Sequence, residues 1–367
     1  MKYSSFLLLL IIIASGCVSR TPQREENVAS CIDYQLDSIR IVEDPEVSTL
    51  NSYGLSAYCH TNECLYCYNY KEHSIDILDL SGGNVKKSIV LETQGPDAVM
   101  RELSWLDVYS PDTIVAYDFN SINVLDSIGR VQCRIKLLKD EWARIDCNSR
   151  SNISGFKLDF DNHTITYPVA KPDRNEIIVY DYIDNAVVNR IKLEDSDNKG
   201  DYGFMRFPNV SFHGGSIIYN YPYESTVFIY DSISGTTRKV STKSSYHPDT
   251  AKEYEGNSPE DIGWYGAENV FYSPMYYLAG QECFVRITLG ATSLDRSVNM
   301  DKAYYDRPIY VMKFDEKFTP VGEFELERHK YNPFGGWCAM YDRMAFFQDS
   351  MLKENDSDDI IIDTIVF

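Results

Sequence analysis

One short strand pattern recurs down the chain: a run of β-branched or aromatic residues that stops at an aspartate. It reads Ile75-Asp76-Ile77-Leu78-Asp79, then Ile122-Asn123-Val124-Leu125-Asp126, then Ile177-Ile178-Val179-Tyr180-Asp181. It returns as Val227-Phe228-Ile229-Tyr230-Asp231, as Tyr310-Val311-Met312-Lys313-Phe314-Asp315 and as Ile360-Ile361-Ile362-Asp363. The aspartates stand 47, 55, 50, 84 and 48 residues apart. A period near fifty with several short strands per unit is the mark of sheets arranged radially.

Alternation, β-branched and aromatic enrichment and turn residues place four strands in most units. The first unit holds Leu55–His60, Cys64–Tyr70, Ser74–Leu80 and Lys87–Leu91. The second holds Trp105–Tyr109, Thr113–Phe119, Ser121–Leu125 and Gln132–Leu137, and the third Phe156–Phe160, Thr164–Val169, Glu176–Tyr182 and Ala186–Leu193. The fourth holds Asn209–Phe212, Ser216–Tyr221, Thr226–Asp231 and Thr236–Thr242, and the fifth Val270–Leu278, Cys283–Leu289, Ile309–Phe314 and Val321–Leu326. The sixth supplies only Trp337–Met340, Met344–Phe347 and Ile360–Val366. A spare strand, Tyr34–Val42, lies at the other end of the chain. Set beside the last strand, it completes the sixth sheet and closes the ring, removing open edges that would template aggregation. The expectation is an all-β, six-bladed β-propeller with four-stranded antiparallel blades.

A second repeat, Tyr68-Asn69-Tyr70, Tyr117-Asp118-Phe119 and Tyr219-Asn220-Tyr221, ends the second strand of three units. Because these triplets and the aspartates recur in step with the fold, they read as packing and turn devices before they read as ligand contacts. Aspartate in particular caps a tight turn through its own backbone.

Residues 1–16 read as a signal peptide: Lys2 opens it, Phe6 to Ile13 is unbroken apolar, and small residues follow. The stretch is too short for a mature membrane-spanning helix. Ala14-Ser15-Gly16-Cys17 is similar to a lipobox, which makes Cys17 a lipidation site. Residues 17–30 are then a polar tether, and 31–367 the propeller. Val18 in place of aspartate after the cysteine favours the periplasm-facing leaflet of the outer membrane, with the cell surface second.

The net charge of −20 disfavours nucleic acid and anionic lipid surfaces. It leaves a calcium ion conceivable at Asp356, Asp358 and Asp359, but no glycine-framed loop surrounds them, so no cofactor is expected. Cys59, Cys64 and Cys67 beside His60 suggest zinc at first sight. Side chains alternate along a strand, so Cys64 and Cys67 point apart, and a disulfide from Cys59 to Cys64 or Cys67 fits an oxidising compartment better.

The blade pattern, the lipobox and Gln94-Gly95-Pro96-Asp97 together resemble the six-bladed β-propeller lipoproteins of Bacteroidota-type bacteria, related in shape to TolB-like propellers. The resemblance covers residues 17–367. It implies a propeller and an envelope location, and it supplies no catalytic residues.

In a propeller the one-to-two and three-to-four turns share one face, while the two-to-three and blade-to-blade loops share the other. Here the second set holds nearly all the length: 92–104, 138–155, 194–208, 243–269, 290–308 and 348–359. Long loops on a rigid scaffold are where binding surfaces sit. Arg101, Trp142, Arg206, Trp264, Tyr265, Tyr304, Tyr305, Arg307 and Trp337 lie in or beside them, and aromatics with a few polar groups suit sugars or protein hot spots. Of these, Arg101, Arg206, Trp264, Tyr265, Tyr304, Arg307 and Trp337 are the ligand-contact candidates. No nucleophile elbow, phosphate loop or zinc-protease motif occurs, no carboxylate pair stands out for glycoside cleavage, and no catalytic residue is assigned. The reading is a lipid-anchored binding propeller for an envelope protein or glycan. A carbohydrate-active lyase or hydrolase is the alternative, and a structural scaffold of an envelope complex the third.

Overall fold

The computed structural model describes residues 32–44, 46–48, 53–138, 155–171, 174–348 and 359–367. Six four-stranded antiparallel sheets follow one another around a ring. The first blade is β2 (Ser56–Cys59), β3 (Cys64–Asn69), β4 (Ser74–Asp79) and β5 (Asn84–Val90); the second is β6 (Trp105–Ser110), β7 (Thr113–Tyr117), β8 (Ile122–Leu125) and β9 (Val131–Ile135). The third is β10 (Lys157–Asp159), β11 (Thr164–Ala170), β12 (Asn175–Asp181) and β13 (Ala186–Lys192); the fourth is β14 (Asn209–His213), β15 (Ser216–Asn220), β16 (Thr226–Asp231) and β17 (Thr236–Ser241). The fifth is β18 (Phe271–Leu278), β19 (Cys283–Leu289), β20 (Ile309–Asp315) and β21 (Pro320–Glu325). The sixth joins β22 (Trp337–Ala339), β23 (Met344–Phe347) and β24 (Ile360–Val366) to β1 (Gln35–Ile41).

Ring closure follows the expected pairing. β1 runs antiparallel to β24 from Gln35 opposite Val366 to Ile41 opposite Ile360. Beyond the strand, Val42 N–H donates to Gly83 O at 3.0 Å in the outer turn of blade one. That approach demands glycine: Gly83 has φ +65°, and a Cβ there would stand 2.8 Å from Arg40 O.

The strand sequences match their depth. β3 is buried throughout and reads as a nearly continuous apolar run, and β4 is nearly all buried with Asp76 among its apolar residues, whereas the outer strands β13 and β17 are mostly exposed. The core therefore lies in layers between neighbouring sheets. One layer, for example, packs Ala57, Tyr66 and Ile77 of blade one against Leu106, Ile114 and Leu125 of blade two.

The strand-end aspartates are turn devices. Asp79 Oδ1 accepts from the N–H of Ser81 and Gly82, both at 3.0 Å. Asp126, Asp181, Asp231 and Asp315 each accept two backbone N–H groups in the same way at 2.7–3.0 Å. In blades one, two, three and five a register shift falls just before the aspartate, at Ile77/Leu78, Val124/Leu125, Val179/Tyr180 and Lys313/Phe314. This bulge adds local twist where the outer strand turns away.

Asp363 departs from the expected series. It lies inside β24, opposite Phe346, as Asp76 lies opposite Cys67 inside β4. Both are fully buried. Asp76 accepts from Ser48, Tyr53, Asn69, Ser74 and Ser88. Asp363 accepts from Ser38, Tyr331 and Gln348 and pairs with Lys330 at 2.9 Å. The spacing of 48 from Asp315 to Asp363 is thus a coincidence of loop lengths, and the two aspartates hold different places in their blades.

The long loops carry helices that the strand pattern does not announce. α1 (Pro259–Glu268) starts in a capping box: Ser258 Oγ accepts from Asp261 N–H at 3.1 Å, and the Asp261 carboxylate accepts from Ser258 N–H. α2 (Met300–Tyr305) is capped by Asn299, and Gly203–Arg206 forms a short 3-10 turn.

Candidate functional site

The helices knit the long-loop rim over blades four to six into a core of its own. Trp264 and Ala267 of α1 pack on Ala303 and Tyr304 of α2, with Phe334 against them. Arg296 clamps α1 by a bidentate pair to Glu268 at 2.9 Å and a third bond to Asp261 at 3.0 Å. Tyr304 donates to Gly263 O and Tyr265 to Lys252 O, both at 2.8 Å. Arg307 is 4% exposed and donates to Gly290 O (2.9 Å) and Asn269 O (2.7 Å). Burial brings its pKa down to about 10. The crevice among Phe204, Met205, Tyr304, Arg307 and Phe334 measures about 10 Å3, room for roughly one water. Trp264, Tyr265, Tyr304, Tyr305 and Arg307 therefore join loop to loop and present little surface to a ligand.

Arg206 ends the 3-10 turn, exposed, with its guanidinium 5.1 Å from the Phe207 ring. Arg101 is exposed on a segment held firmly from both sides. Val99 O takes a bond from His73 Nε2 (2.9 Å), Met100 N–H donates to Asp118 (3.1 Å), and Glu102 N–H donates to the Tyr68 hydroxyl (3.3 Å). Since a carbonyl only accepts, His73 carries its proton on Nε2 and takes one from Tyr68 on Nδ1, at 2.9 Å. Tyr219 plays the same part in blade four, accepting from Glu194 N–H at 2.9 Å. The tyrosine triplets thus dock incoming loops. The Gln94–Asp97 loop docks too: Asp97 accepts from Val131 N–H at 3.0 Å and Pro96 O from Arg134 at 3.2 Å.

Trp337 occupies a different place. It is 1% exposed, donates Nε1–H to Tyr276 at 3.0 Å, and lines a cavity of about 340 Å3 on the axis of the ring. The inner strands of five blades wall this cavity: Ser56 and Tyr58 of β2, Asp107 of β6, Ser211 and His213 of β14, Tyr276 and Tyr277 of β18, and Ala339 of β22. His213, Tyr277 and Ala339 stand at the ends of their strands, so the cavity occupies the half of the axis nearer the short one-to-two hairpins. The ring of His213 lies 3.6 Å from that of Tyr277, and burial lowers its pKa.

Two polar groups in this wall are under-bonded. The half-buried Asp107 carboxylate accepts only from the following N–H, Val108, at 2.8 Å, and burial raises its pKa. Ser211 is 8% exposed and its Oγ has no partner. Neither residue stands out in the sequence. The available signal is a polar residue in each of three inner strands, Ser56, Asp107 and Ser211, outside the long loops.

The six cysteines among the described residues, Cys59, Cys64, Cys67, Cys133, Cys283 and Cys338, are free thiols. Cys59 and Cys64 face each other across the hairpin, but Cys59 Sγ contacts Thr61 Oγ1 (3.1 Å) and Cys64 Sγ donates to Asn62 O (3.2 Å). Cys67 turns to the opposite layer. The expected hairpin disulfide is absent among the described residues, which also hold no group of three or more metal-ligating side chains. Asp359 accepts from Arg40 at 2.6 Å and from Glu43 N–H. Cys17, Trp142, Cys147, Asp356 and Asp358 lie outside the described residues.

Fold and axial site together define a six-bladed β-propeller. Residues 32–325 match the model of a domain of unknown function, DUF4221, and the chain belongs to that family. A DUF4221 member from Bacteroides vulgatus superposes with a TM-score of 0.65 at 14% identity, over 90% of this chain and 98% of that one. A putative exported protein from Bacteroides fragilis gives 0.57 at 10% identity, over 92% and 96%. No curated protein matches the chain.

Proposed function

We propose that this chain is a lipid-anchored, extracytoplasmic binding propeller that takes a small ligand in its axial cavity and performs no catalysis. The axial cavity carries the reading. Its volume falls at the low end of the range for small-molecule sites, and its wall combines aromatic rings with a few convergent polar groups. Its lining offers one carboxylate, Asp107, where glycoside cleavage uses two, so binding is better supported there than hydrolysis. The Bacteroides fragilis neighbour is described as exported, which agrees with the leader and Cys17 in supporting an envelope location at the outer membrane.

Equilibrium dialysis against the small-molecule fraction of a bacterial envelope extract, read by mass spectrometry, tests this. The wild-type protein retains a molecule that Ala339→Trp, which fills the cavity, does not. Ser211→Leu serves as a second filler should the first misfold. Retention of nothing, or retention untouched by filling, rejects the site. Fractionation tests the anchor: Cys17→Ala releases the protein from membranes, and continued attachment rejects lipidation.

A second reading rests on a specific surface. Tyr70 (51% exposed), Met100 (55%) and Phe119 (55%) flank Arg101 on the long-loop face of blades one and two. This surface suits an envelope protein partner. Crosslinking lost on Arg101→Glu together with Phe119→Ser, while ligand retention is unchanged, supports it.

A further inference from the structure

We propose that the ligand of the axial cavity is a small organic cation, an amine or ammonium group held by the Asp107 carboxylate among the rings of Tyr58, Tyr276 and Tyr277. The inference rests on the axial-cavity reading and adds the ligand's chemistry to it.

Its first support is a comparison of carboxylates within this one fold. Asp76 takes five side-chain donors, Asp363 has Lys330 and three neutral donors, and Glu176 has Lys171, Arg174 and Arg190. Glu323 takes three donors from Ser244 and Ser245. Each satisfies the demand that a buried charge be paired or fully hydrogen-bonded. Among the described residues, Asp107 has a single bond, from its own neighbour's N–H, and its second oxygen has no protein donor. An acid under-bonded beside a cavity is complete only when the cavity's occupant supplies the donor or the charge.

The second support is the rest of the wall. Among the described residues no lysine or arginine lines the cavity, so an anionic ligand finds no counter-charge there, and the net charge of −20 repels it further. Aromatic rings attract cations through their negative faces. Tyr58, Tyr276 and Tyr277 line the cavity and are only partly buried, so their rings are what it offers a ligand, while Trp337 backs the wall with its N–H on Tyr276. The volume, at the low end of the range for small-molecule sites, leaves room for the charged group and an organic body around it.

Isothermal titration calorimetry at fixed ionic strength with choline, putrescine, methyl α-glucoside and acetate decides the matter. At least one of the two ammonium probes binds saturably, and acetate does not. Asp107→Asn, matched in size, weakens that binding tenfold or more while the melting temperature stays close to wild type. Absence of binding by both ammonium probes, or equal binding to Asp107→Asn, overturns the cation. Retention of a neutral molecule that Ala339→Trp abolishes leaves the cavity reading intact and refutes only the charge. If filling the cavity changes nothing, both fail together.

Discussion

Ser38 donates its hydroxyl to Asp363 Oδ1 at 2.6 Å across 325 positions of sequence. The bond joins the strand that closes the ring to the strand it closes upon. Asp363 also holds Tyr331 and Lys330. Ser38→Ala removes one donor and lowers stability by about 1 kcal/mol. Asp363→Ala strands the half-buried Lys330 and three neutral donors and costs about 3–5 kcal/mol. Urea titration compares the two, and equal costs contradict the assignment of Asp363 as the hub.

Turn aspartates behave differently. Asp79→Ala removes the acceptor for the Ser81 and Gly82 N–H groups, which solvent can replace at the surface, and costs about 1 kcal/mol. Asp76→Ala, three residues earlier, leaves five donors without their acceptor in the blade interior and costs several times more. Matched denaturation curves for the two variants check the contrast.

Arg286 is wholly buried and bonded to neutral groups: Ser273 O at 3.1 Å, Ser225 O at 2.9 Å and Thr242 Oγ1 at 2.5 Å. Burial lowers its pKa to about 9. Arg286→Met relieves the buried charge yet strips Ser273 O of its side-chain donor and leaves Ser225 O only the Thr242 hydroxyl, and the second effect wins by about 1 kcal/mol. Arg286→Lys does not rescue, because a point charge cannot replace a fork of donors. Full recovery by lysine, seen in melting temperature, goes against this account.

His247 gives stability a pH dependence. Burial pushes its pKa down to about 4; Arg286 and Arg307 also disfavour the charged form, and Pro248 O and Asp249 oppose the shift. The folded value lies below the unfolded one, so the contribution is complete above about pH 6.5 and is lost as pH falls toward 4. Allowing for partial exposure, the loss is about 2 kcal/mol over that window. Glu224 and Glu323, raised by burial, run the opposite way. Comparing wild type with His247→Gln between pH 7 and 5 isolates the histidine: the variant loses less stability on acidification, and parallel curves contradict the prediction.

Strands and their closure were readable from sequence because their causes are local. Alternation, β-branched runs and turn residues such as Ser81-Gly82-Gly83-Asn84 act within a few positions, and β1 was found as the strand that the sixth sheet lacked. Asp363 was misplaced because loop length can mimic a period, and only pairing with Phe346 reveals its true phase. Ser258-Pro259-Glu260-Asp261 is a readable helix start, yet the helix was missed inside a segment treated as loop. Trp264 and Arg307 carry the residue types of a binding surface, and only tertiary packing shows that they spend them on one another. The axial cavity is a convergence of β2, β6, β14, β18 and β22, and no stretch of sequence contains that convergence.

The seam of the ring has a mechanical side. Gln35, the first residue of the closing strand, is paired with Val366 at one end of the β1–β24 ladder, and Ile41 with Ile360 at the other. A pull on the amino end of the chain reaches the Gln35 pair first and peels the ladder pair by pair. If Cys17 is fixed in a membrane, the disc hangs from its own clasp, and tension in the leash loads the joint that holds the circle shut before it loads any other blade.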